Sequence, residues 1–353
     1  MNKETFLALV KAGLWGKDVE LQKYGTTDFD EIMRLAEEQS VIGLVTAGLE
    51  HVTDAKVPQD VLLQFIGQAL QLEQRNTSMN KFIAELIEKM RNEAIYTLLV
   101  KGQGVAQCYE KPLWRASGDV DLLLSDSNYE KAKEFLLPLA SDHKPDERYS
   151  KHLGMNIDQW YVEIHGTLRT GLSSRIDREV DAVQRGVFYG GNVRSWNNHG
   201  VQVFLPAPNE DVFFVFTHFI KHFYKEGMNL RQICDWCRLL FCYREKLDLR
   251  VLESRINRTG LMGEWRAFAA LAVEYLGMPN EAMPFYDGRS KKDEVRVKQL
   301  VELILDGYSG SVVQDTWKIA KIFPWNTIRF APAIFLNVNW LKVRERVFCN
   351  RNL

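Results

Sequence analysis

The sequence predicts an α+β protein: a small mixed sheet with helices on one face, flanked by N-terminal and C-terminal helical segments. Three observations carry this reading. Apolar residues recur at helical spacing through residues 1–94, a strand-like period of two enters across 95–206, and helical spacing returns over 207–353. These ranges are the expected helical region, α/β core and C-terminal helical domain.

Composition narrows the function classes. At 353 residues, with 46% hydrophobic and 26% charged side chains, the chain has ample material for a sizeable core. Its formal net charge of −1 provides no global basic field, so long nucleic acid is not a favoured partner and neither is a membrane. No apolar run approaches the roughly 18 residues that span a bilayer, and MNKETFLALVKAGLWGKD lacks signal-peptide architecture, so a cytoplasmic location is expected. Five cysteines (Cys108, Cys234, Cys237, Cys242, Cys349) in so long a chain fit reduced thiols better than a disulfide framework. Cys234 and Cys237 have CxxC spacing, but no second pair or nearby histidine pair completes a zinc site.

Taken in order, Phe6, Leu7, Val10 and Leu14 open the helical region, and Asp28 to Glu31 reads as a cap before Ile32, Leu35 and Ala36. Pro58 starts a long helical pattern through Val61, Phe65, Leu72, Phe82, Leu86 and Met90. Ile95 to Val100 is a buried-strand candidate; Gly102 and Gly104 permit a tight turn, and Val105 to Tyr109 suits a helix start. A strand over Asp119 to Leu124 follows, then a helix from Tyr129 to Leu137 capped by Ser125 to Asn128. Gln159 to Leu168 alternates as a further strand, Asp177 to Val187 is a short helix, Val201 to Phe204 is a last short strand, and Pro206 and Pro208 mark a boundary. Helices are expected after Asn209, over Leu230 to Tyr243, Val251 to Ile256, Trp265 to Leu276, Asp293 to Leu305 and Ile334 to Val347. The nine tryptophans are most simply core residues.

Chemistry concentrates in the middle segment. Asp119 and Asp121 stand two apart in GDVDLLL, so they project to one face while Val120 and Leu122 project to the other. Two like charges in an apolar strand need a shared proton, an arginine or a divalent metal, unless the strand end simply faces water. Glu163 is a third carboxylate in an apolar strand and shares a face with Tyr161 and His165. Three strand-borne carboxylates suit Mg²⁺ or Mn²⁺ and phosphoryl chemistry. The glycine turn is neither a Walker A loop, since GxxxxGK[ST] is absent, nor a dinucleotide fingerprint, since GxGxxG fails at Gln107.

In order, Lys101-Gly102, Arg115, Gly118-Asp119, Asp121, Glu163, His165, His218, His222, Arg231 and Asp235 resemble the nucleotidyltransferase superfamily built on the polymerase-β-like minimal fold. Within it they are similar to the uncharacterised nucleotidyltransferases of bacteria, over roughly residues 80 to 245. The chain departs from the broad superfamily where the usual Gly-Ser is replaced by Lys101-Gly102-Gln103.

The resemblance implies transfer of a nucleoside monophosphate from an NTP to an acceptor hydroxyl, with Asp119, Asp121 and Glu163 as the catalytic and metal-binding residues. It places Lys101, Gly102, Gly104, Arg115, Ser117, Gly118, His165, His222, Arg231 and Asp235 around the nucleotide. Each has a plainer reading: Lys101 as a solvent lysine, the glycines as turn residues, Arg115 and Ser117 as exposed loop, and His165 as a satisfied core histidine. Arg231 and Asp235, at i, i+4, are by default a helix-face ion pair. His222 meets the nucleotide or pairs with an acid. A non-catalytic nucleotide-binding or toxin–antitoxin-like regulatory module is the competing class.

Overall fold

The computed structural model describes residues 2–144, 151–288 and 291–335. The N-terminal helices are α1 (Asn2–Trp15), α2 (Phe29–Glu38), α3 (Ile42–Leu49) and the long α4 (Gln59–Asn92). Asp28 caps α2 by accepting the Glu31 N–H at 3.1 Å. α1 and α3 pack backbone to backbone, since a Cβ at Gly13 would stand 1.9 Å from the Leu44 carbonyl oxygen. Phe65, early in α4, belongs to the core of these helices, whereas Met79, Phe82, Ile83, Leu86, Ile87 and Met90 belong to the core under the sheet.

The middle of the chain runs β1 (Thr97–Val100), α5 (Gly102–Ala106), β2 (Asp119–Leu124), α6 (Asp126–Leu136), β3 (Ala140–His143), β4 (His152–Ile157) and β5 (Trp160–His165). The five strands form one mixed sheet in the order β1-β2-β5-β4-β3, with β2 and β5 parallel and the other pairs antiparallel. The pleat sorts the side chains by face. Leu99, Val120, Leu122, Leu124, Leu153, Met155, Val162 and Ile164 pack against α4 and α6. Asp119, Asp121, Glu163 and His165 project from the opposite face.

Beyond the sheet come α7 (Ser174–Tyr189), the hairpin of β6 (Val193–Asn198) and β7 (Val201–Pro206), and then α8 (Pro208–Lys225), α9 (Leu230–Tyr243), α10 (Leu249–Thr259), α11 (Met262–Glu274), α12 (Lys291–Leu305) and α13 (Val312–Ile322). Residues 324–335 are helical; the remainder of the helix expected over Ile334 to Val347, from 336 on, lies outside the described residues, as does Cys349. Phe216, Phe219, Phe223, Trp236, Trp265 and Phe268 interlock, several edge to face, as the core joining α8, α9 and α11. Arg238 of α9 donates to the Cys108 and Leu14 carbonyl oxygens at 2.8 and 2.6 Å, tying α9 to the segment after α5 and to the end of α1.

Three strands depart from the sequence reading. β3 and β4 lie between the expected helix ending at Leu137 and the strand from Gln159, and β6 lies between the expected helix ending at Val187 and the strand from Val201, where no element is expected. The last is closed by His199 and Gly200, both at positive φ (49° and 85°), the backbone of a two-residue hairpin turn. The helix expected at Val105 starts earlier, at Gly102, and has five residues. Cys108, Cys234, Cys237 and Cys242 are free thiols, as expected.

Candidate active site

The site grows from the end of β1. Lys101 turns the chain with φ 58° and ψ −146°, and Gly102 follows at φ 40°. A left-handed lysine costs about 1–3 kcal/mol, and such outliers concentrate at ligand clamps. With this backbone Lys101 stands where its ammonium reaches β2. Its Nζ lies 2.8 Å from Asp121 Oδ1, with the side chains 18% and 3% exposed. With only five residues, α5 has little macrodipole to offer an anion, so positive charge here comes from the lysine itself.

Strand register assembles the carboxylates. Asp121 stands opposite Glu163 across the parallel β2–β5 pair, and Asp119 lies one pleat earlier, opposite Tyr161. Oxygens of Asp119, Asp121 and Glu163 lie within 4.8 Å of one another. His165 Nε2 is 2.7 Å from Asp121 Oδ1 and 3.6 Å from Glu163 Oε2. His152, which the sequence reading missed, stands opposite His165 on β4 and stacks on it with ring centroids 4.8 Å apart. Its Nε2 approaches Glu163 Oε2 to 3.0 Å, outside hydrogen-bond geometry. Opposite Glu163 sits Gly154, where a Cβ would lie 2.0 Å from the Tyr161 hydroxyl, so glycine leaves room for that ring.

Charge is unevenly shared among these groups. Repulsion from Asp121, then burial and Glu163, pushes the Asp119 carboxyl up despite the pull of Lys101 and Arg231. Burial alone would raise Asp121, but Lys101 and the His165 hydrogen bond hold it well below the usual carboxylate range. Glu163 is also held down, with burial opposed chiefly by His152. Burial keeps His165 low against the pull of Asp121, and burial followed by the Lys101 charge drives His218 well below the ordinary histidine value. Lys101 is raised because Asp121, Asp119 and Glu163 outweigh its burial.

A second cluster flanks the first. Arg115 binds Asp235 bidentately, Nε to Oδ1 at 2.8 Å and Nη2 to Oδ2 at 2.6 Å, and its Nη1 donates to Ser117 Oγ at 2.7 Å. The Tyr109 hydroxyl donates to Asp235 Oδ1 at 2.8 Å. The expected Arg231–Asp235 pair is therefore corrected: Arg115 takes Asp235, because its planar fork reaches both oxygens. Arg115 and Ser117 are themselves buried, not exposed. Arg231 donates to the Ala116 carbonyl oxygen at 3.0 Å, while its buried Nε has no partner. Burial and then the neighbouring Arg115 charge lower its guanidinium.

The other expected nucleotide contacts are scattered. Gly118 is exposed, with nothing within 4 Å of where a Cβ would lie. Gly104 is buried against β7, its missing Cβ 2.7 Å from Leu205, which makes it a packing position. His222 pairs with an acid, Nδ1 to Glu226 Oε2 at 2.9 Å, and its Nε2 lies 3.2 Å from His218 Nε2. His218 in turn lines a small cavity with Val100, Lys101 and Asp211. His152 and Gly154 had a legible signal, since His152, Gly154 and Asn156 alternate with Leu153, Met155 and Ile157.

The donor set suits a divalent ion. Three carboxylates converge, Asp119 is raised by its neighbours for want of positive charge, and hard oxygens match Mg²⁺ or Mn²⁺. Among the described residues no helix is long and apolar enough to cross a membrane. No curated protein matches the chain. A solved structure described as an antigenic nucleotidyltransferase-like protein from Paracoccidioides brasiliensis is similar at 12% identity, covering 59% of this chain and 92% of that one, with a TM-score of 0.31. The family model described as uncharacterised nucleotidyltransferase matches residues 25–277, which include every carboxylate, lysine and arginine of the site, and the chain belongs to that family.

Proposed function

We propose that the chain is a metal-dependent nucleotidyltransferase, moving a nucleoside monophosphate from an NTP to an acceptor hydroxyl with release of pyrophosphate. The observation that carries this is the β2–β5 register, which sets Asp121 against Glu163 with Asp119 one pleat away. In the reaction the acceptor oxygen attacks the α-phosphorus, the bond from that phosphorus to the pyrophosphate oxygen breaks, and the acceptor proton passes to a carboxylate. Glu163 is the residue for that proton and for orienting the acceptor. Asp119, Asp121 and Glu163 would hold Mg²⁺ or Mn²⁺, which when bound supplies charge neutralisation and polarises the phosphoryl oxygens. Lys101 and the unpartnered Nε of Arg231 are the cations for the triphosphate, acting by positioning and fixed charge.

Incubation with α-labelled NTPs, Mg²⁺ and a panel of sugars, small molecules, proteins and RNA tests this. Label transfer is expected, with its acceptor identifying the substrate class. Chelation should abolish it, and Asp119→Ala or Asp121→Ala should lower it by at least about 10²-fold. Transfer that persists equally in both variants rejects the reading.

A further inference from the structure

Glu163 faces two different donor sets. One comprises the Asp119 and Asp121 oxygens; the other comprises two imidazoles, His152 from β4 and His165 from β5, paired across the strands and stacked at 17°. We propose that His152, Glu163 and His165 form a second metal site, which takes a transition ion of the Zn²⁺, Co²⁺ or Fe²⁺ class in preference to Mg²⁺.

The separations from Glu163 are close to those of ligands around one ion. Donors about 2.0–2.2 Å from a metal at tetrahedral or octahedral angles stand roughly 3.0–3.5 Å apart. Here His152 Nε2 is 3.0 Å and His165 Nε2 3.6 Å from the same Glu163 Oε2, and all three donor atoms fall within 4.8 Å.

A separate observation points to a missing partner. His152 Nε2 is buried, and its one close polar neighbour, Glu163 Oε2 at 3.0 Å, attracts it electrostatically but is misaligned for a hydrogen bond. Leaving a buried polar nitrogen unmatched is unfavourable, and a metal at this point would satisfy it. His165 Nε2 lies 2.7 Å from Asp121 Oδ1, a hydrogen bond that an ion would replace, and this contact links the set to the three-carboxylate set.

Ligand softness decides the ion. Imidazole nitrogen suits Zn²⁺, Co²⁺ and Fe²⁺, whereas an all-oxygen set suits Mg²⁺. The two sets share Glu163, so the centre offers one hard and one borderline position side by side. The proposal deepens the nucleotidyltransferase reading of this site but needs no turnover: a protein that binds the ion without transferring label keeps this proposal and loses the other.

The test is Co²⁺ titration of the metal-free full chain, followed by visible d–d absorption, with Mg²⁺ as competitor. Wild type should show a band that Mg²⁺ in large excess does not remove. His152→Ala and His165→Ala should weaken Co²⁺ binding by at least about tenfold, no less than loss of an outer-shell partner costs. Asp119→Asn should keep the band. A pulsed electron paramagnetic resonance spectrum of wild type loaded with Cu²⁺ should show imidazole nitrogen coupling, a readout independent of how the variants fold. Absence of nitrogen coupling, unchanged binding in both histidine variants, or ready displacement by Mg²⁺ overturns the proposal.

Discussion

Two ion pairs at the site, Arg115–Asp235 and Lys101–Asp121, each hold an almost fully buried carboxylate and have opposite character. In the first, a fork meets a fork and Tyr109 and Ser117 take neighbouring valences, so both oxygens of the anion are matched, with Arg231 a second cation alongside. In the second, a single ammonium contacts one carboxylate while two more carboxylates press on the same space. A closed pair holds a fold together; an open one, with charge left over, invites a ligand. The lesson is that burial alone does not separate structure from function, whereas the matching of donors to acceptors does.

Breaking the closed pair should have the largest effect. Asp235→Ala leaves Arg115 buried without its anion, and unfolding by denaturant should show a loss of about 3–5 kcal/mol. A change below about 1 kcal/mol would mean that the pair is not structural.

The open cluster should respond with the opposite sign. Because repulsion raises Asp119 above its ordinary value, its charge costs stability at neutral pH, and that cost disappears as pH falls through the raised value. Asp119→Asn should therefore raise the melting temperature of chelator-treated protein while destroying label transfer; a drop in stability would contradict the like-charge account.

The smallest effect belongs to the peripheral pair His222–Glu226. The His222 hydrogen bond, assisted by Lys221, draws the Glu226 carboxyl down from 4.5 to about 2. Its contribution is present above the ordinary glutamate value and lost as pH falls from there toward about 2. The carboxylate is 45% exposed, so screening limits the contribution to under about 1 kcal/mol. Glu226→Gln should flatten the acid limb of the stability curve slightly, and a shift larger than that of Asp235→Ala would reverse the ranking.

Much of the carboxylate cluster was legible because its signal is local. A period of two places Asp119 with Asp121, and Glu163 with His165, on common faces whatever the rest of the chain does. The match over 25–277 and the α+β architecture agree with the ordered motif. His152 escaped notice because its strand, HLGMNI, carries Gly154 and Asn156, which are poor strand formers, and is held in the sheet by pairing with β5. Arg115 was assigned to phosphate and Asp235 to Arg231 because spacing along one helix shows only partners three or four residues away. The bond between Arg115 and Asp235 spans 120 residues.

By itself the sequence determined which side chains carry charge and on which face of each strand they stand, since both follow from backbone periodicity. Only the tertiary structure decided which charges meet. It brought Glu163 together with the aspartates and the two histidines, turned Lys101 onto Asp121 through a left-handed backbone, and gave Asp235 to Arg115. Those choices depend on strand order and helix docking, where contacts far apart in the chain compete for the same carboxylate and the better-matched geometry wins.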